Sequence, residues 1–210
     1  AIDGKILMFN CESFEEMERI DGIARAKKTV ADISIRVNPD VAANTHHYIT
    51  TGKKENKFGI AIDQLVERGP FVKGLAGVRL IGIHCHIGSQ ILTPQPFADA
   101  LDRVRGTCLK LKAAYPTFRY MDIGGGVGIQ YTREQVALSP SEFAARMVPG
   151  LKDLGLAVVM EPGRYLVGNA GILVCRVQYV KRNGSRNFVV VDAGMNDLIR
   201  PPLYDAYHEL

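Results

Sequence analysis

Five short apolar runs, separated for the most part by amphipathic helical patterns, restrict the folds open to this chain more than any other feature. They cover residues 5–10, 33–38, 78–84, 118–122 and 157–161. Ser13 followed by Glu16 forms a capping box ahead of Met17 and Ile20, which predicts a helix start after the first run. Ser139-Pro140-Ser141-Glu142 forms another, with proline at the first helical position. Residues 97–114 carry Leu101, Val104, Cys108 and Leu111 on one helical stripe. Strands alternating with helices in this way call for a parallel sheet, because each crossover returns the chain to the same end. Two closures are open to such a sheet, a (β/α) barrel or a doubly wound layer.

The strand faces favour the barrel. In the second run Ile33, Ile35 and Val37 share one face, and Ser34, Arg36 and Asn38 the other. In the third, Ile81, Ile83 and Cys85 alternate with Gly82, His84 and His86. An apolar outer face beneath helices, with polar side chains inside near the strand ends, is what a barrel active site requires. After Arg164 the texture changes. Residues 171–181 and 188–192 are strand-like and flank Arg182-Asn183-Gly184-Ser185, where Asn-Gly signals a hairpin. We therefore expect the C-terminal part of a barrel over residues 1–168 and the beginning of an all-β sandwich or barrel domain over 169–210. The long polar stretch at 38–58 is expected to leave the second strand on the side where barrel sites lie. Ala1 is not an initiator methionine and no stop signal precedes Leu210, so the chain is expected to be an internal piece of a longer protein.

Composition narrows the classes further. The 210 residues carry a formal charge of only +4, and the basic residues are neither blocked together nor interleaved with aromatics. That argues against a nucleic-acid partner. No run of about 18 apolar residues suggests a membrane span, and no secretory signal opens the chain. Cys11, Cys85, Cys108 and Cys175 have no CxxC spacing, which suits buried free thiols in a cytoplasmic protein.

Four groups of residues carry chemistry. Asp122-Ile123-Gly124-Gly125-Gly126 lacks dinucleotide-loop and P-loop spacing, which leaves a simple phosphate monoester or a tight strand-to-loop turn. Glu161, in Glu161-Pro162-Gly163-Arg164, ends an apolar run, where a carboxylate needs a partner. That partner is either Arg164 or a protonated ring nitrogen of a ligand. His84 and His86 make a metal pair conceivable, but no third ligand stands at useful spacing. The alternative is a flat imidazole at His86 stacked on a cofactor ring, with Ser89 bonding a phosphate and His84 an ordinary hydrogen-bonded core histidine. Arg200 and Tyr204 can grip a carboxylate or form a surface pair. Glycines for a phosphate together with a carboxylate for a ring nitrogen suggest pyridoxal phosphate, an electron sink for a carbanion.

Taken together, these segments resemble the diaminopimelate decarboxylase family, pyridoxal-phosphate enzymes with an alanine-racemase-like (β/α)8 barrel and a β domain. The matching stretches are Arg36-Val-Asn-Pro-Asp, Thr51-Gly-Lys-Lys-Glu-Asn-Lys-Phe-Gly-Ile and Gly82-Ile-His-Cys-His-Ile-Gly-Ser-Gln. They continue with Asp122-Ile-Gly-Gly-Gly, Glu161-Pro-Gly-Arg, Val191-Asp-Ala-Gly-Met-Asn-Asp-Leu-Ile-Arg-Pro and Leu203-Tyr-Asp-Ala-Tyr-His, in family order.

The resemblance implies His86 on the cofactor ring, Ser89 near its phosphate and phosphate-binding amides from Gly124, Gly125 and Gly126. It implies Glu161 at the ring nitrogen, Arg164 at the cofactor and substrate, and Arg200 and Tyr204 at a substrate carboxylate. The reaction implied is loss of CO2 from the D-configured centre of meso-2,6-diaminopimelate to give L-lysine, in a homodimer with shared active sites. Alanine racemases of similar fold place an arginine at the ring nitrogen, so Glu161 points to decarboxylation. The family's cofactor-carrying lysine lies in a Tyr-Ala-x-Lys-Ala-Asn-like motif, and its expected proton donor in Cys-Glu-Ser-Gly-Asp. Neither motif occurs here, so this piece is expected to be inactive by itself. A decarboxylase of another carboxylated diamine, or a non-catalytic binding or regulatory relative, is the alternative.

Overall fold

Alternating side-chain polarity in the apolar runs produces one parallel sheet whose order follows the chain. The computed structural model describes residues 1–41, 57–68 and 70–209. Its first six strands are β1 (Phe9–Cys11), β2 (Ala31–Asn38), β3 (Ile60–Ala61), β4 (Val78–His84), β5 (Tyr120–Asp122) and β6 (Ala157–Val159). They pair in parallel in the order β1-β2-β4-β5-β6, and β3 joins the far end of β2 at Val37 and Asn38. The helices α1 (Phe14–Ala26), α2 (Ile62–Glu67), α3 (Gln95–Ala114) and α4 (Pro140–Lys152) are the crossovers. This is a partial (β/α) barrel. Its curvature shows directly, since Asn10 of the first strand donates to Glu161, just beyond the last, at 3.2 Å.

Helix starts follow their capping signals. Ser139 accepts from the Glu142 amide while the Glu142 carboxylate reaches back to the Ser139 amide, a complete capping box. At α1 the Ser13 hydroxyl accepts from the Glu16 amide, but the Glu16 carboxylate reaches Glu12 instead of Ser13. The core lies between the outer face of the sheet and α1, α3 and α4. Ile33, Ile35, Ile83 and Met121 are buried with Met17 of α1, Val104 and Cys108 of α3, and Met147 of α4. Each such large side chain contributes on the order of 1.5–3 kcal/mol through apolar burial. Phe97 and Phe143 meet edge to face at 5.1 Å and join α3 to α4.

The polar row is on the inside. The pairing of β2 with β4 shifts register between Ile33 and Ser34, after which Ser34 faces Gly82 and Arg36 faces His84. Such an irregularity re-aims the residues beyond it.

Several boundaries differ from the sequence reading. The first strand begins at Phe9, not at residue 5, because Lys5 adopts a left-handed conformation with φ of 50°. β3 escaped notice because two residues carry no periodicity. Residues 171–176 are not a strand, and the hairpin consists of β7 (Val177–Asn183) and β8 (Arg186–Val191), turning through Gly184 at φ of 58°. Both hairpin faces are exposed along most of their length. Short helices α5 (Gly163–Val167) and α6 (Arg200–Tyr204) precede and follow the hairpin. Three cysteines are buried as expected, whereas Cys175 is exposed because its segment packs on no layer. Most of the loop expected at 38–58 lies outside the described residues.

The three consecutive glycines allow a close backbone approach. A Cβ on Gly125 would overlap the Glu161 carbonyl oxygen, and one on Gly126, at φ of 101°, would overlap that of Gly88. Gly106, exposed within α3, has nothing within 4 Å of the same position. Gly125→Ala is therefore expected to lower unfolding free energy by about 2 kcal/mol or more through overpacking. Gly106→Ala is expected to raise it by about 1 kcal/mol through helix propensity. Denaturant midpoints measured side by side check the contrast, and equal effects would show that the close approach is not a constraint.

Candidate active site

Strand ends bring His86, Gly124, Gly125, Gly126 and Glu161 to one end of the sheet, whereas Arg200 and Tyr204 lie on α6. Just past β5, the Gly124 amide donates to the Asp122 carboxylate at 2.9 Å and the Gly125 amide to His86 Nδ1 at 3.1 Å. The Gly124 carbonyl in turn accepts from the Glu161 amide at 2.8 Å. Backbone bonds thus join the glycine loop to the segments after β4 and β6. Two of the three glycine amides point inward to Asp122 and His86, which leaves Gly126 as the one not used in this way.

His86 receives a proton donor at Nδ1, so its own proton is on Nε2. Burial, with Arg36 beside it, pushes its pKa down to about 4. At neutral pH it is an uncharged, flat ring.

Glu161, itself exposed, belongs to a cluster with the buried His84 and Asp122. His84 Nε2 stands 3.6 Å from Glu161 Oε2, a contact longer than a hydrogen bond. The Asn10 amide donates to Glu161 and to Asp122, at 3.2 Å each, and also meets Ser34. The two carboxyl groups are pushed in opposite directions. His84 holds Glu161 below the usual carboxylate range, whereas burial raises Asp122. Glu161 is therefore the more acidic of the two. His84 itself is buried with neither ring nitrogen hydrogen-bonded, unlike the ordinary core histidine expected.

The sequence spacing also showed no third metal ligand near His84. Across the strands, however, His84, Asp122 and Glu161 bring one ligand atom each within 4.8 Å of one another. Linear spacing does not register residues that meet on adjacent parallel strands.

Arg164 does not pair with Glu161. Its Nε and Nη2 donate to the Ser89 hydroxyl at 3.2 and 2.9 Å, and its Nη1 to the Tyr131 hydroxyl at 2.5 Å. Arg200 Nη1 donates to the same Tyr131 oxygen at 2.8 Å. These residues line a cleft of about 660 Å³ with Ile129 and His208. Tyr204, at the far end of α6 from Arg200, does not line it.

Asn10 and Tyr131 were missed by sequence reasoning. Asn10 closes a short strand without any motif, and Tyr131 lies in an irregular loop, so only the fold reveals them. An ionised carboxylate, a neutral imidazole and a glycine cradle beside Ser89 and Arg164 suit a phosphorylated heteroaromatic ring.

The depressed pKa of His86 has a stability consequence. Between about 4 and the ordinary histidine value the unfolded chain binds more protons, so stability falls as pH drops through that window. The contribution present above the unfolded value and lost by the folded one is on the order of 3 kcal/mol. His86→Asn, which cannot titrate, is expected to flatten this part of the denaturation-midpoint profile. An unchanged profile would show that His86 is protonated at its ordinary value.

Comparison with known proteins agrees with this geometry. Residues 1–168 match the pyridoxal-dependent decarboxylase family over its pyridoxal binding domain. The chain is 46% identical over 208 residues to diaminopimelate decarboxylase of Haemophilus influenzae, covering 99% of this chain and 50% of that protein. It is 43% identical over 210 residues to the Aquifex aeolicus diaminopimelate decarboxylase, covering 100% and 50%. The Helicobacter pylori diaminopimelate decarboxylase structure, complexed with L-lysine, superposes with a TM-score of 0.93 at 39% identity. That match covers 100% of this chain and 52% of that one. The chain thus spans about half the length of the curated relatives it matches. With its glycine loop, imidazole and strand-end carboxylate placed as they are, the chain belongs to the pyridoxal-dependent decarboxylase family.

Proposed function

We propose that the whole protein decarboxylates meso-2,6-diaminopimelate to L-lysine with pyridoxal phosphate. The observation that carries the reading is Glu161, a carboxylate at the strand ends that His84 holds below the usual carboxylate range. When bound, the cofactor supplies a ring that takes up the electron pair left behind as CO2 departs, and does so best with its nitrogen protonated. Glu161 is the residue to hold that proton. The neutral His86 offers a flat ring against the cofactor without adding a positive charge.

Ser89, Arg164 and the Gly126 amide are the donors assigned to the phosphate. Gly124 and Gly125, whose amides bond Asp122 and His86, act by letting the loop pass close to its neighbours. Arg200 is assigned to the substrate carboxylate that remains after the reaction, because Nε and Nη2 of its guanidinium have no acceptor among the described residues. Tyr204, four residues on, is assigned with it as a second donor on the family resemblance alone, since it does not line this cleft. Arg164 is turned onto Ser89 and Tyr131, so its part at the substrate is to position the cleft. The diaminopimelate substrate is favoured by the relatives' names, and a cationic cleft suits a far carboxylate rather than the cationic tail of a plain diamine.

A homodimer with shared active sites and a cytoplasmic setting complete the proposal. Three buried free thiols favour a reducing compartment, and no described helix is long and apolar enough to cross a membrane.

Glu161→Gln in the full-length protein keeps the shape and removes the charge. Turnover is expected to fall about 100-fold or more while cofactor absorbance is retained. Near-normal turnover would contradict the role assigned to Glu161.

A further inference from the structure

Two guanidinium groups converge on one neutral oxygen in the cleft. Arg164 and Arg200 both donate to the Tyr131 hydroxyl, at 2.5 and 2.8 Å. Both also lie over its ring, 5.7 and 5.5 Å from the centroid. Like charges this close repel unless something negative stands between or beside them. No carboxylate among the described residues supplies it. Among the described residues, the acid lining this cleft is Glu209, which pairs instead with Arg133 at 3.5 Å.

The bookkeeping of lone pairs decides where the hydroxyl proton goes. A phenolic oxygen has two acceptor lone pairs and one proton. The two arginines take both lone pairs, so the Tyr131 proton is left to donate to an acceptor other than these neighbours. His208 meets the Tyr131 ring edge to face at 5.9 Å and packs against it without accepting that proton. Arg164 is turned onto Ser89 and Tyr131, whereas Nε and Nη2 of Arg200 have no acceptor among the described residues.

The geometry points to Tyr131 as a specificity-determining residue: it fixes the separation of Arg164 and Arg200 and donates its own proton to the far carboxylate of the substrate. The ligand chemistry is a carboxylate met by one tyrosine donor and one arginine fork, which is stronger and more directional than the arginine alone. This inference rests on the proposed reading of the site as one for a substrate that keeps a carboxylate after reaction.

Tyr131→Phe in the full-length holoenzyme retains the ring and its stacking and removes only the oxygen. The Michaelis constant for meso-2,6-diaminopimelate is expected to rise about 10- to 100-fold with turnover number changed less than about threefold. A binding readout separates this from structural damage. L-lysine keeps the far carboxylate and 1,5-diaminopentane lacks it, so calorimetric affinities for the two report the clamp directly. The preference for L-lysine is expected to shrink about 10-fold or more in Tyr131→Phe, with binding of 1,5-diaminopentane unchanged.

An unaltered preference in Tyr131→Phe, with Arg200→Gln abolishing it, would overturn the role of Tyr131 and leave the function standing. An unaltered preference in both variants would overturn the carboxylate site itself. Should Tyr131→Phe not fold, Tyr131→Gln supplies an acceptor and a donor at the same place. It is then expected to keep L-lysine favoured over 1,5-diaminopentane, and loss of all preference would count against the clamp.

Discussion

Backbone lying against backbone is the constraint on which the site depends. Gly124–Gly126 passes between the segment after β4 and the segment after β6, so closely that a single added Cβ would meet a carbonyl oxygen on either side. The amide of Glu161 bonds the Gly124 carbonyl, and that of Gly125 bonds His86. His86, Asp122 and Glu161 stand at or just past the ends of three different strands, yet their positions are set together by this one loop. Glycine at these positions thus acts first as a packing residue, which bears on its role toward a phosphate. Two of its three amides already have protein partners.

Around that contact the fold separates charge into two regions. At the strand ends, two carboxyl groups share Asn10 and are driven apart, Glu161 toward the anion by His84 and the buried Asp122 toward the neutral acid by desolvation. Such a divergence is how one site holds an acid and a base of the same chemical type. In the cleft, two guanidinium groups are drawn together by a neutral phenol. The first region suits the positive end of a heteroaromatic ring, and the second suits anions. A phosphorylated ring carrying a substrate with a free carboxylate matches that polarity at both ends.

Much of the fold was legible because its signals are local. The inner and outer faces of β2 and β4 follow from alternation, and the stripe on α3 from helical spacing, with Leu101, Val104 and Cys108 buried as expected. The hairpin turn at Gly184 was legible for the same reason. What escaped depends on distant contacts. Asn10 acts across the curled sheet on residues more than 100 positions away, and Tyr131 gains its role from arginines 33 and 69 positions on. The orphaned ring of His84 was equally hidden, since its neighbour Glu161 comes from a different strand end. The resemblance named Glu161, Arg164 and Arg200 but not the residues that hold them.

The most direct test of the central claim is the protonation state of the cofactor's ring nitrogen in the full-length protein. Pyridoxal phosphate labelled with a nitrogen isotope at the ring reports it by magnetic resonance. The account predicts a pyridinium signal at neutral pH that reverts to the unprotonated position in Glu161→Gln. An unprotonated ring nitrogen in the unaltered protein would contradict it.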